Sequence, residues 1–223
     1  MTIMMEPEND EGKARALIEF ERRLLSYGFD PDFQDLVLRA KVFNVIEHIL
    51  SDPLSSKRVQ ERAAKAVEAL VKFNKNVFVG LVLMGPTINA LITMASSCSI
   101  SVLSSLIRLI RTPLVDELLT NGEIPRIVEL VCWEDLGVQM AALDCVLEIG
   151  FIGRKEVIEA MMNEELIKKL MELQRKMESS DEVKSRNCCN GNCVAMFSIE
   201  VEVGEGLSTE EKGEIKIFGD IVE

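Results

Sequence analysis

Apolar residues recur at the spacing of one helical face from about Ala14 to Met177, and polar breaks divide that stretch into segments of 9 to 18 residues. The breaks fall at Gly28 to Pro31, Ser51 to Ser56, Gly85-Pro86, Thr112-Pro113, Asn121-Gly122 and Gly153. Pro31, Pro53, Pro86, Pro113 and Pro125 stand near segment starts, where a missing backbone N–H leaves no hydrogen bond unmade. Gly28 and Asn121-Gly122 provide helix stops, the second pair as a left-handed cap. No strand alternation interrupts this region, so the pattern predicts an all-α chain of roughly ten helices. The one alternating stretch, Ala195 to Val203, predicts an edge strand or, for want of a partner strand, an extended segment.

The segments copy one another. VQERAAKAVEAL (59–70), CSISVLSSLIRL (98–109) and VQMAALDCVLEI (138–149) align at offsets of 39 and 40. Their columns agree: Ala63, Val102 and Ala142; Ala64, Leu103 and Leu143; Val67, Leu106 and Val146; Leu70, Leu109 and Ile149. These columns lie on one face of a helix, and the alanines permit close helix–helix approach. The preceding segments repeat as well, AKVFNVIEHI (40–49) over GEIPRIVELV (122–131), with GPTINALITM (85–94) and NEELIKKLMEL (163–173) as looser copies. A period near 40 with several helices per repeat is the mark of an α-solenoid of armadillo or HEAT type.

NGEIPRIVELV followed by EDLGVQMAALDCVLEIG resembles the armadillo signature, in which a Gly-x-Ile-Pro start to the second helix precedes a third helix opening Val-Gln. Gly122, Ile124, Pro125, Val128, Val138, Gln139, Ala141, Ala142 and Val146 carry the match, as do Val59, Gln60, Ala63, Ala64 and Leu70. The resemblance implies a right-handed solenoid over residues 13–178 with three full repeats and partial ends. It is flanked by an acidic, disordered N-terminus (1–12) and an acidic, cysteine-containing, largely disordered tail (179–223). Within the tail, CVAMFSIEVEVGEGLSTEEKGEIK (193–216) is similar to a C-terminal segment of a group of plant armadillo-superfamily proteins, which implies a shortened member.

Charge sharpens the picture. The net charge is −12, with four acids and no base in residues 1–12 and ten acids against four bases in 181–223. The repeats themselves are nearly neutral. This balance disfavours nucleic acid, which is held by Lys and Arg on phosphates. The single histidine, His48, leaves no His-based triad and few ligands for a catalytic zinc. His48 occupies the column of Leu130 and is expected at a helix interface; Trp133 is expected over a seam between repeats, and Met161, Met162, Met171 and Met177 in the end of the core. Cys98, Cys132 and Cys145 read as small buried hydrophobes. Cys188, Cys189 and Cys193 are one ligand short of a structural zinc site, although a thiol there could be regulatory or lipid-modified. Gly204 and Gly206 lack the basic residue of a phosphate loop. No catalysis, cofactor or metal is expected, and an armadillo array behind a U-box is disfavoured, since no U-box is discernible in the twelve residues before the first helix. A start without an apolar leader points to the cytoplasm or nucleus. Residues 77–107 hold no charge over 31 positions, yet Gly85-Pro86 and six serines argue against stable membrane insertion.

The resemblance implies binding of another protein, as a peptide or helix, in a groove lined by third helices. In proteins similar to importin-α, Trp and Asn recur there to grip an import signal. At the matching positions this chain has Lys65 and Ala69, Ser104 and Arg108, Asp144 and Glu148, so that recognition does not carry over. What remains is a partner-binding groove graded from basic to acidic; the alternatives are a solvated surface, a regulatory paralogue without its own partner, or a ubiquitin-ligase-associated or membrane-associated adaptor. Leu106→Asp tests the register: a buried, unpaired carboxylate costs several kcal/mol in a domain of marginal stability, so the variant should lose its helical circular dichroism. A soluble, well-folded variant contradicts the alignment.

Overall fold

The computed structural model describes residues 10–26, 30–179 and 192–213. Every regular element among them is a helix: α1 (Asp10–Ser26), α2 (Pro31–Arg39), α3 (Val42–Ser51), α4 (Lys57–Phe73), α5 (Lys75–Met84), α6 (Thr87–Met94), α7 (Ser97–Ile110), α8 (Thr112–Thr120), α9 (Ile124–Leu130), α10 (Leu136–Ile152), α11 (Lys155–Asn163), α12 (Leu166–Ser179) and α13 (Cys193–Val203), with a last short turn of helix at 209–213. The chain divides into two compact units, Met1–Ile110 and Arg111–Glu223.

Each unit is built from triplets of two shorter helices and a third. In the first unit α1 packs on α4, and the triplets α2–α3–α4 and α5–α6–α7 follow, with α4 against α7 and α3 against α6. The third helices run parallel. Glu11 and Arg58 pair at the first turns of α1 and α4 (2.9 Å), while Cys98 meets the carbonyl of Glu61 and Ser105 meets Glu68 at the same separation of 37. Ala63, Ala64, Val67 and Leu70 of α4 and Val102, Leu103 and Leu106 of α7 are all buried. Leu109 is only partly buried, whereas Ile110, the last residue of α7, is buried.

Polar ties also recur one repeat apart. Asn74 donates to Gln34 (2.6 Å) and Thr87, fully buried, donates to Glu47 (2.7 Å), each across 40 residues. The Val-Gln signature has a physical role as well. The Gln60 amide donates to the Asp52 carbonyl (2.9 Å) and that of Gln139 to the Trp133 carbonyl (2.5 Å), fastening each third helix to the turn before it. In α7 the equivalent residue is Ser99, which exchanges hydrogen bonds with Ser96 and so caps the helix instead.

The junction between first and second helices turns through the left-handed region at Lys41 (φ 49), Gly122 (φ 67) and Glu165 (φ 54). Gly122 therefore plays its expected part as a left-handed turn residue. The second triplet turns instead at Gly85-Pro86, where α5 and α6 bend by 70°. Among the described residues no single helix is long and apolar enough to cross a membrane, and this bent pair would be so only by length and composition.

The second unit holds the triplets α8–α9–α10 and α11–α12–α13, and here the sequence expectation is overturned. Residues 193–203 are neither strand nor loose tail but a helix packed on α10 and α12. Asn192 caps it, accepting from the amides of Val194 (2.9 Å) and Ala195 (3.0 Å). Cys193, Val194, Phe197 and Val201 bury one face. Gly150 of α10 makes room for it, since a Cβ there would stand 2.8 Å from the Phe197 ring. The chain then crosses the end of α10: the Glu205 amide donates to the Phe151 carbonyl (2.7 Å), and a Cβ on Gly206 would lie 2.0 Å from the Gly153 carbonyl oxygen. Arg111 stacks over Phe151 (6.0 Å) and pairs with Glu205, tying the strap to α8. The expected disordered span 179–223 thus contains the third helix of a fourth triplet. Residues 1–9, 27–29, 180–191 and 214–223, with Gly28, Cys188 and Cys189, lie outside the described residues.

Two further expectations fail. His48 is exposed, because the buried face of α3 is Val42, Phe43, Ile46 and Leu50. Trp133 is substantially exposed, its backbone carbonyl making the tie. Cys98 and Cys132 are half-buried, whereas Cys145 and Cys193 are buried. If α13 completes the second unit, Phe197→Ala should destabilise the protein by about 3–5 kcal/mol, measured by urea unfolding; a loss within about 0.5 kcal/mol, the range of surface substitutions, contradicts the packing.

Candidate functional site

The third-helix surface of the first unit is the place to look for binding. Along α4, Arg58, Glu61, Lys65, Glu68 and Lys72 follow one another by three or four residues and form an exposed to half-exposed stripe. Along α7 the matching stripe is Ser97, Ser101, Ser105 and Arg108. Two of the residues expected in the groove are not on it: Ala69 is 3% and Ser104 4% exposed. Each lies one residue from a stripe position, Glu68 and Ser105, and so is turned by about 100° on the helix. Lys65 and Arg108 are on the stripe, half-exposed and exposed respectively.

The two stripes are joined by a hydrogen-bonded chain. Lys72 Nζ donates to Glu68 Oε1 (2.6 Å), and Ser105 Oγ donates to the same oxygen (2.5 Å). Beside it a cavity of about 340 Å³ opens between α4 and α7, lined by Lys65, Glu68, Ser97, Cys98, Ser101 and Val102. Small side chains on α7 create it: serines at 97 and 101 leave space that longer side chains would fill. Burial pushes the Cys98 thiol above its ordinary range, against a smaller opposing effect of Lys65. In the second unit Asp144 is exposed and Glu148 half-buried on α10, where each has interactions of its own. Glu68, Lys72, Ser101, Ser105 and Cys98 were missed by column matching. The i, i+3, i+7 run Lys65–Glu68–Lys72 was the signal that could have found the first two.

Among the described residues no group of three His, Cys, Asp or Glu side chains is placed to hold a metal ion. The arrangement is a polar helix surface with a shallow, open recess between α4 and α7.

No protein-family model matches the sequence, and no curated protein matches it. Solved structures do. An engineered protein superposes with a TM-score of 0.68 at 15% identity, over 97% of this chain and 84% of that one. A designed armadillo repeat protein in complex with the peptide (KR)4 gives 0.67 at 16%, over 98% and 86%. The chain has the armadillo-repeat solenoid fold. A third similar structure, of computationally designed armadillo repeat proteins for modular peptide recognition, gives 0.63 at 16%, over 95% and 83%. At such identity the similarity establishes the armadillo fold alone.

The raised Cys98 pKa gives a chemical prediction. Its thiolate fraction at pH 8 is below that of an ordinary cysteine, so iodoacetamide should label Cys98 several-fold more slowly than glutathione, with the rate still climbing above pH 9. Site-resolved mass spectrometry measures this. Labelling as fast as glutathione contradicts the burial of the sulfur.

Proposed function

We propose that this protein is a non-catalytic binding scaffold that holds an extended segment of another protein along its third-helix surface. The observation that carries the reading is the recess between α4 and α7, with its polar stripe on two parallel helices. Side chains of an extended peptide would enter the recess while polar groups at its rim meet the peptide backbone. The designed relatives in fold lend support, since one was solved with a bound peptide.

The charges point away from a basic ligand at this unit. Lys65, Arg62 and Arg108 border the surface beside Glu61, while Lys72 and Glu68 offset each other's charge and Ser105 also holds Glu68. An acidic or neutral segment suits the first unit, whereas Asp144 and Glu148 would favour basic side chains at the second. We place the protein in a reducing compartment, cytosol or nucleus, on the strength of its free thiols, Cys98, Cys132, Cys145 and Cys193. Membership of the plant armadillo superfamily is proposed on residues 193–216 alone.

Fluorescence anisotropy with an acidic (DE)4 peptide and with (KR)4 tests the reading. Lys65→Glu with Arg108→Glu should weaken the acidic peptide by about 10-fold or more, leave helicity unchanged and fail to weaken (KR)4. Bound acidic peptide should also slow Cys98 labelling. Equal binding to wild type and the double variant contradicts the assignment of the surface.

A further inference from the structure

The exposed pair Asn121-Gly122, in the turn between α8 and α9, takes no part in the binding surface but carries a chemistry of its own. Asparagine before glycine is prone to intramolecular deamidation, because glycine has no side chain to shield its amide nitrogen from the neighbouring carboxamide carbon. Around Gly122 the space is open, with no atom within 4 Å of a Cβ placed there.

In the closed turn the reacting groups are engaged elsewhere. α8 ends in a left-handed cap: the Gly122 N–H donates to the Leu119 carbonyl (3.1 Å) and the Glu123 N–H to the Leu118 carbonyl (2.9 Å), with Gly122 at φ 67. The Asn121 carboxamide donates through Nδ2 to Glu117 Oε1 (2.8 Å), one turn back along α8. Nitrogen nucleophile and carboxamide are thus both tied to α8, and they can meet only when the turn opens.

We propose that Asn121 is a site of spontaneous deamidation gated by opening of the α8–α9 turn, and that the product holds the turn open.

In the open turn the Gly122 nitrogen loses its proton and attacks Cγ of Asn121. The N–Cγ bond forms, the Cγ–Nδ2 bond breaks, and Nδ2 leaves with that proton as ammonia. A five-membered succinimide remains, and water opens it. Water attack at Cγ gives aspartate on the original main chain. Attack at the main-chain carbonyl carbon gives isoaspartate, whose main chain runs through Cγ and is one carbon longer. Nothing is oxidised or reduced, and water is the co-reactant.

Either product opposes reclosure. A carboxylate replaces the donor that stood 2.8 Å from Glu117 Oε1, so an attraction between residues i and i+4 becomes a repulsion. The new charge also sits at the C-terminus of α8, the negative end of the helix dipole. Isoaspartate in addition shifts the Gly122 and Glu123 amides out of register with the Leu119 and Leu118 carbonyls. The residues that follow are packed: Glu123 is buried and pairs with Arg126 (2.7 Å), and Ile124 is buried in the third triplet.

The test is ageing of the full chain in mildly alkaline buffer at body temperature, followed by site-resolved mass spectrometry of residue 121. Wild type should convert at Asn121, but at least about 10-fold more slowly when folded than in denaturing urea, the difference being the cost of local opening. Glu117→Ala frees the carboxamide while keeping a strong helix former in α8. It should convert several-fold faster than wild type when folded and at the same rate when denatured. Asn121→Asp, the product made directly, should keep its circular dichroism yet exchange the Gly122 and Glu123 amides several-fold faster by NMR. Equal rates in folded and denatured wild type overturn the gate, and no conversion in either folded protein overturns the site. Unchanged exchange in Asn121→Asp overturns the claim that the product holds the turn open.

Discussion

The parallel contact of one third helix with the next sets the rest of this structure. It requires small or aliphatic side chains on two flanks of the same helix, which is why α4 spends Ala63, Ala64, Ala66 and Ala69 where a surface helix would carry polar residues. Alanine costs little as helix and lets backbones approach, while Leu103 and Leu106 opposite fill the space. At α10 the same demand is met by Gly150, which admits the Phe197 ring. Apolar burial against α1 and α7 leaves α4 a narrow outward stripe of polar side chains.

Repetition alone does not fix the angle between triplets. Hydrogen bonds spaced by the repeat do so in the first unit, with Gln34 to Asn74 and Glu47 to Thr87 pairing residues of successive first and second helices. Polar groups withdrawn in part from water, and wholly so at Thr87, lose more when such a bond is broken than they gain when it is made, so they favour one arrangement among several of similar apolar burial. The glutamines of the Val-Gln signature act within a triplet, each holding a third helix to the carbonyls of the preceding turn. Lys65, Glu68 and Ser105 are presented by helices whose mutual register is set by these ties.

Much of this was legible in the chain. Columns 63, 64 and 67 and their copies are core, and proline and glycine mark the turns because backbone chemistry there is local. What failed depended on partners. Ala195 to Val203 alternates apolar and polar with β-branched residues, and read alone it favours a strand; contact with Gly150 and the Asn192 cap make it helical. The long stretch before it, 180–191, broke the period of 40 and hid the fourth triplet. Ala69 and Ser104 were misplaced by a single residue, since a helix turns about 100° per position and column matching carries no rotation. His48 shares a column with buried Leu130 yet is exposed: α3 runs on and buries Leu50, whereas α9 ends at Leu130.

The central claim is that third-helix stacking continues through α13, so that the segment 193–203 belongs to the folded array. Native-state hydrogen exchange followed by NMR or mass spectrometry tests it at the amides of 197–203, whose hydrogen bonds exist only in the helix. They should be protected to a degree comparable with the central amides of α10, and lose protection together with them in rising denaturant. Exchange at the rate of an unstructured peptide, with α10 still protected, would contradict the account.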